Sequence, residues 1–328
     1  MKAHRVCFSE QGKVVIETTD VEPPGHGQVL VEAICSVISP GTELAFLHAR
    51  PNTPGKFPNS SGYCMCGRVI GKSDGVEGFD DNPIVAVDSS HASAQVVAAN
   101  SCRRVPNGMP PVQAAAFMVV AIALQAVRKG QIQMGESVAV LGLGLIGNLA
   151  AQLARVAGAA RVVGVDPVGW RRNLAIECGT DGAHASSDDL LQQLPDHPVR
   201  GQGFDVVIEA TGLPSPINDA FHLARRLGRV VLLGSTRGNT DSVNFYRDVH
   251  KKGLTIIGAH GSIRSNRDDV SHLHTLWSDQ LTSLDLIAAN RIKIEPLISD
   301  HIAALQAPNA YEQLAAQDKP LMTIALDW

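Results

Sequence analysis

The stretch from Ser137 to Asp166 constrains this chain more than any other. SVAVLGL is a continuous apolar run, LIGNLAAQLARVAG carries an amphipathic helical pattern that stops at Gly158, and RVVGVD is a second apolar run ending in an acid. Short apolar runs bounded by glycine read as strands buried on both faces, and the 3.6-residue pattern between them reads as a helix. At the first strand-to-helix turn stands Gly142-Leu143-Gly144-Leu145-Ile146-Gly147. A GxGxxG string alone is weak, but here each glycine meets a physical demand. Gly142 permits a tight turn, Gly144 lets the backbone approach a pyrophosphate, and Gly147 allows close helix-on-strand packing. The helix that opens with Leu145 and Ile146 offers unpaired N–H groups and the positive end of its dipole to phosphates.

Asp166 lies close to the roughly 20-residue offset at which an acid accepts from the adenosine ribose hydroxyls. Its charge repels a 2′-phosphate, which favours NAD over NADP. Arg171 and Arg172 follow closely, and an arginine accommodates that phosphate. The alternation then continues with a helix around Arg171 to Cys178, the run FDVVIEATG, a helix from Ile217 to Leu227, then RVVLLGS and LTIIGAHG. Strands that alternate with helices define an α/β doubly wound parallel sheet of the Rossmann type.

The flanking segments read differently. From Met1 to about Pro106 short β-rich runs (Val29 to Val37, Gly67 to Ile70, Ile84 to Val87, Gln95 to Ala98) are separated by Gly, Pro and Asn. Ala114 to Val127 is rich in Ala, Val and Leu and reads as a buried helix carrying the domain junction. After about Asp268 the period returns to helix and loop and closes with PLMTIALDW, a strand expected to pair back with the β-rich lobe, since a lone strand is not stable. The boundaries are therefore placed at 1–118 for the β-rich domain, 119–265 for the nucleotide-binding domain and 266–328 for the returning segment.

Composition narrows the class further. Hydrophobic residues make up 45% and charged residues 18%, the balance of a globular chain with a real core. The net charge is -4 with no dense Lys/Arg run, which argues against nucleic acid or an anionic membrane surface as partner. The most apolar stretch is shorter than the roughly 20 residues that cross a bilayer. Charges run through MKAHRVCFSEQGKVVIE, so no export signal is read and a cytoplasmic location is expected. The six cysteines include one close pair, Cys64-Met65-Cys66, whose spacing fits neither a zinc knuckle nor a redox CxxC.

Nearly all of the chain resembles the medium-chain dehydrogenase/reductase superfamily, in which a GroES-like β lobe joins a Rossmann domain. The resemblance is carried by VEAICSVISPGTEL, SSGYCMCGRVIG, RRVPNGMPPVQAAAF, ESVAVLGLGLIGNLAAQLARVAGA and FDVVIEATG. The departures are informative. Where zinc-dependent relatives carry Cys-Gly-Thr-Asp, this chain has Pro40-Gly41-Thr42-Glu43. Where they carry Gly-His-Glu, it has Gly62-Tyr63-Cys64. Phe117-Met118-Val119-Val120 offers no donor where the third ligand falls, and Val87 to His91 runs on without a four-cysteine lobe. S-x-I-S-P-G-T-E, then G-Y, then a terminal L-D-W looks like the zinc-independent branch that includes bacteriochlorophyllide a dehydrogenase and sugar- or cyclitol-oxidising relatives.

The resemblance implies reversible oxidation of a secondary alcohol, a polyol, cyclitol or sugar derivative, with NAD and without metal. Hydride transfer to a carbonyl builds negative charge on oxygen, which zinc would absorb as a Lewis acid. Tyr63 stands where the ligating histidine projects, and with a lowered pKa a phenol can donate both a hydrogen bond and the proton. The alternative for Tyr63 is a packed aromatic whose hydroxyl satisfies the backbone. Thr42 matches the relatives' proton-relaying hydroxyl, and Glu43 either orients that loop or makes a structural bond. His91 and His260 are neutral-pH proton carriers that can line the pocket; Cys64 reads as packing. Thr211, Gly212, Gly234 and Ser235 border the nicotinamide by the same resemblance, and Arg237 either meets an anionic substrate group or is solvated. A homodimer or homotetramer is implied, with LTIIGAHG as the pairing edge. Two other functions stay open: an enone or quinone reductase using NAD(P)H, and a nucleotide-binding protein without chemistry.

Overall fold

The computed structural model describes residues 1–194, 196–197, 201–263, 265 and 274–328. The expected start of the returning segment, residue 266, lies outside the described residues. Two compact units divide the chain: Met1–Val119 with Gln280–Asn290 and Ile294–Trp328, and Val120–Asp279 with Arg291–Lys293.

The first unit is β-rich. Lys2–Glu10 and Lys13–Asp20 form an antiparallel hairpin, joined on the far side of Lys2–Glu10 by Asn59–Ser60. A mixed seven-stranded sheet runs in the order Ile298–Ala303, Thr323–Asp327, Gln28–Val37, Met65–Lys72, Ile84–Val87, Cys102–Arg104, with Ala94–Ala98 also pairing to Gln28–Val37. Along Gln28–Val37 the residues Val29, Val31, Ala33 and Cys35 are buried in alternation, the two-residue period of a strand with one core face. The closing strand pairs antiparallel with Gln28–Val37, Ala325 opposite Val37, as its apolar sequence led one to expect. Helices Pro40–Leu47 and Ala307–Ala316 pack Leu44, Leu47, Ala307, Tyr311 and Leu314 on Val6, Phe8, Ile324 and Leu326. The Phe8 and Tyr311 rings meet edge to face at 5.3 Å. Burying one such side chain fully stabilises the fold by about 1.5–3 kcal/mol.

In the second unit six parallel strands follow the order Gly182–His184, Arg161–Val165, Ser137–Leu141, Phe204–Glu209, Ala224–Leu232, Thr255–Gly258. That order, third-second-first-fourth-fifth-sixth, is the doubly wound one with its switch point between Ser137–Leu141 and Phe204–Glu209. Helix Leu145–Val156 packs between, and Gly158 beyond it takes a φ of +102° that ends the helix. The expected helix from Ile217 to Leu227 is shorter, Pro216–Leu223. Ala224 already pairs with Phe204, and the Leu227 N–H bonds the Lys252 carbonyl, so sheet pairing overrides local helical preference there.

Among the described residues no helix is long and apolar enough to cross a membrane.

Candidate active site

The glycine turn of the second unit bears out its spacing atom by atom. Gly142 has a φ of +84°, and a Cβ there would lie 3.0 Å from Thr211. A Cβ on Gly147 would lie 1.8 Å from the Gly142 carbonyl oxygen, so only glycine lets helix and turn meet. Gly144 differs: nothing stands within 4 Å of where a Cβ would lie, leaving open space before the helix end. The first helical bond runs from Asn148 N–H to the Gly144 carbonyl, and no side chain caps the helix. The N–H groups of Leu145, Ile146 and Gly147 therefore face outward, as a pyrophosphate requires. These residues fit a dinucleotide.

Asp166 is buried and already engaged. Its Oδ2 accepts from Leu143 N–H at 2.9 Å and its Oδ1 from Val168 N–H at 2.9 Å, tying the second strand's end to the glycine turn. Each carboxylate oxygen keeps a further lone pair for a ribose hydroxyl. Arg171 lies 3.8 Å from Asp166 and stacks over Trp170 at 5.3 Å, while Arg172 donates to the carbonyls of Asp166 and Pro167.

Thr211, Gly212, Gly234 and Ser235 come together at the ends of the next two strands. Gly212 has a φ of +71°, a Cβ on Gly234 would lie 2.6 Å from Gly212 N, and one on Gly212 would lie 3.3 Å from Ser235 O. Arg237 joins them through its backbone N–H to the Gly212 carbonyl. Glu209, which the sequence reading passed over, is fully buried beneath; one oxygen accepts from Thr211 N–H and Oγ1–H, and Oε2 has no partner. Burial pushes its carboxyl up against the pull of those two bonds.

The other cluster belongs to the first unit. Helix Pro40–Leu47, with proline at its start and Glu43 in its first turn, turns the Glu43 side chain inward, 2% exposed. Its Oε1 accepts from Ser39 N–H at 2.6 Å; its Oε2 accepts from Ser61 Oγ at 2.5 Å, from Tyr311 Oη, and lies 3.1 Å from His91 Nε2. Ser61 and Tyr311 are also in mutual contact at 2.6 Å. His91 is fully buried, its backbone bonded to Ser61 and Val6, and its Nδ1 lies 2.8 Å from Ser36 Oγ. The ring leaves no room beside Gly62, where a Cβ would come within 2.4 Å of it and φ is +93°. Tyr63 is half-buried and its hydroxyl donates to Ser39 Oγ at 2.5 Å.

Burial works to raise the Glu43 carboxyl, but the attraction of His91 and hydrogen bonds from His91, Ser39 and Ser61 outweigh it and hold it below the usual range. Tyr63 moves the other way: burial, then Cys64 and the Glu43 charge push its phenol up, while Ser39 and Thr42 work against this. The lowered phenol expected from the sequence is thus reversed, first by burial and then by the charges of Cys64 and Glu43 beside it. Burial also drives the Cys64 thiol well up, in keeping with a packing role. All six cysteines are free and buried.

Tyr63, Thr42, Glu43 and His91 are thus brought together. His260 belongs to the second unit, where it is exposed and its Nδ1 lies 2.7 Å from Ser262 Oγ. Ser39, Ser61, Tyr311, Ser36 and Trp328 were missed by sequence reasoning. The positions matching a zinc site hold Pro40, Tyr63 and Phe117 to Val120, and among the described residues no three His, Cys, Asp or Glu side chains come together as a metal site. This donor set does not fit zinc.

The family model described as zinc-binding dehydrogenase matches residues 146–278. An L-threonine 3-dehydrogenase of Pyrococcus furiosus is 27% identical over 323 residues, covering 88% of each chain. A 2-dehydro-3-deoxy-L-galactonate 5-dehydrogenase of Pseudoalteromonas atlantica is 26% identical over 291 residues, covering 79% of this chain and 80% of its own. Among solved structures, galactitol-1-phosphate dehydrogenase from Escherichia coli superposes with a TM-score of 0.84 at 20% identity, over 99% of this chain and 100% of its own. These likenesses lie with the medium-chain, zinc-binding dehydrogenases, with sugar and polyol dehydrogenases among the neighbours.

Proposed function

We propose, from these likenesses to medium-chain, zinc-binding dehydrogenases, that the chain is an NAD(H)-dependent, zinc-independent dehydrogenase. It interconverts a secondary alcohol on a polyol, cyclitol or sugar derivative with the corresponding ketone. The observation that carries this reading is the donor set of the first unit: a phenol and two hydroxyls, Tyr63, Ser39 and Thr42, backed by a buried carboxylate, where kindred enzymes hold a cation.

The bound cofactor supplies or takes the hydride. The chain's own groups handle the oxygen and its proton. Tyr63 donates a hydrogen bond to the oxygen as negative charge develops, and the Glu43 anion keeps the phenol protonated until a stronger base, the alkoxide, draws its proton. Thr42 and Ser39 hydroxyls relay a proton from water back to Tyr63, each taking one proton as it gives one. Glu43 and His91 act by positioning rather than by contact with the substrate. The outward N–H groups at Leu145 and Ile146 hold the pyrophosphate, Asp166 holds the ribose, and Thr211, Gly212, Gly234 and Ser235 border the nicotinamide. His260 remains a candidate proton carrier.

Arg171 favours a second reading for the cofactor alone, because a guanidinium 3.8 Å from Asp166 can meet a 2′-phosphate. NADPH with an enone or quinone as substrate would then be the activity. Under either reading we propose a homodimer or homotetramer that pairs along Thr255–Gly258, which ends the parallel sheet and leaves Ile256 38% exposed. The test is direct: titrate NADH and NADPH fluorescence, then screen secondary alcohols for NAD reduction. Turnover of a polyol with NAD supports the proposal; NADH binding with no turnover on any alcohol, ketone or enone would leave a binding protein instead.

A further inference from the structure

The His91 ring is fully buried with one polar partner on each nitrogen, and donor–acceptor accounting decides which nitrogen holds the proton. An indole N–H can only donate. Trp328 Nε1–H donates to Ser36 Oγ at 2.9 Å, so one lone pair of that oxygen is taken. That oxygen keeps one lone pair and its own proton, and directing the proton at its other partner, His91 Nδ1 at 2.8 Å, uses it and makes Nδ1 the acceptor. The imidazole proton accordingly sits on Nε2 and is donated to Glu43 Oε2.

The other end of the cluster agrees. Glu43 is approached by Ser39 N–H, Ser61 Oγ, Tyr311 Oη and His91 Nε2, a set of donors that only an ionised carboxylate satisfies in full. The opposite tautomer would turn a lone pair of Nε2 onto a carboxylate oxygen and leave the Ser36 hydroxyl proton without its acceptor. Trp328 is itself fixed: its backbone N–H donates to the Ile34 carbonyl, and its side chain packs against two apolar clusters of the first unit.

We propose that Trp328 and Ser36 form a positioning relay that holds His91 as the Nε2–H tautomer and thereby fixes the Glu43 carboxylate behind Tyr63. Neither Trp328 nor Ser36 contacts substrate. The kinetic half of this proposal rests on the role assigned above to Tyr63, whereas the tautomer does not.

The experiment is nitrogen-15 NMR of the histidine side chains in the full chain, with the His91 signals identified by their loss in His91→Gln. The expected wild-type pattern is a proton on Nε2 and none on Nδ1. Trp328→Phe, which keeps the aromatic packing but removes the donor, and Ser36→Ala should each give a mixture of tautomers, and Ser36→Thr should restore the single form. In parallel, Trp328→Phe should lower kcat roughly 10-fold with KM little changed, as loss of an outer positioning partner does. The double variant with Ser36→Ala should be no worse than the more impaired single one. A wild-type ring with a proton on Nδ1, alone or together with one on Nε2, or an unaltered tautomer in Trp328→Phe, overturns the relay whatever the activity. An altered tautomer with unchanged kcat overturns its kinetic half. Full activity in Tyr63→Phe would instead defeat the proposed function and leave the tautomer result standing.

Discussion

Glu43 Oε2 and His91 Nε2 lie 3.1 Å apart in a part of the first unit closed to solvent, brought together from a helix start and a loop 48 residues away. A buried pair of this kind need not add net stability, but removing one partner strands the other. Its value here is positional, since the same carboxylate also gathers Ser39, Ser61 and Tyr311.

Glu43→Gln should therefore lower unfolding free energy by about 3 kcal/mol at neutral pH, because an amide N–H would meet donors where it needs acceptors. The pH dependence has a definite sign. The folded-state carboxyl is held below its unfolded value, so its contribution is present above about pH 4 and is lost as pH falls through the depressed folded value. Urea midpoints measured across that range should show the gap between wild type and variant narrowing on acidification; a constant gap would mean that Glu43 is not the titrating group.

Two glycines of the turn should respond differently in stability. Gly144→Ala places a methyl in open space, so thermal stability should hold while NADH affinity falls at least about 10-fold, the methyl standing where the pyrophosphate approaches. Gly147→Ala drives a carbon into the Gly142 carbonyl and should lower both. Fluorescence titration beside thermal melts separates the two; equal melting losses would show that the space before Gly144 is not free.

Asp166→Ser should weaken NAD far more than NADP, since it removes an acceptor for the ribose hydroxyls and a charge that repels the 2′-phosphate. Some loss common to both cofactors is also expected, because Asp166 holds Leu143 N–H and Val168 N–H. Dissociation constants for both cofactors, measured on both proteins, give the ratio that decides it.

Tyr63→Phe should reduce turnover by roughly 10²-fold if the phenol is the proton donor. Because the phenol is pushed above its ordinary value, ketone reduction should show no loss from Tyr63 ionisation up to about pH 10, and alcohol oxidation should climb over the same range. An alkaline fall in wild-type reduction that vanishes in the variant would contradict the direction of the shift.

The half proposed to bind the nucleotide was legible because every demand on it is local. A turn, a helix start and an acid fall within one strand-helix-strand unit, and strands buried on both faces announce themselves as apolar runs. The proposed catalytic cluster was only half legible. Tyr63, Thr42 and Glu43 were reached through resemblance, His91 as a neutral-pH proton carrier. Tyr311 and Trp328 reach Ser61 and Ser36 across 250 and 292 residues, and no periodicity encodes such a contact. Helix Pro40–Leu47 did carry a signal, proline at its start and an acid in its first turn, hidden by reading that stretch as a ligand loop. The direction of the Tyr63 shift was illegible for a related reason: it depends first on how deeply the fold buries the phenol and then on the Cys64 and Glu43 charges brought beside it.

The central claim is that hydroxyl donors do the work of a cation, and metal content measured together with activity tests it most directly. Protein purified without added metal, assayed by elemental analysis before and after dialysis against a chelator, should hold zinc well below one ion per chain and keep its full dehydrogenase rate. One tightly held divalent ion per chain, whose removal abolishes activity and whose return restores it, would contradict the account.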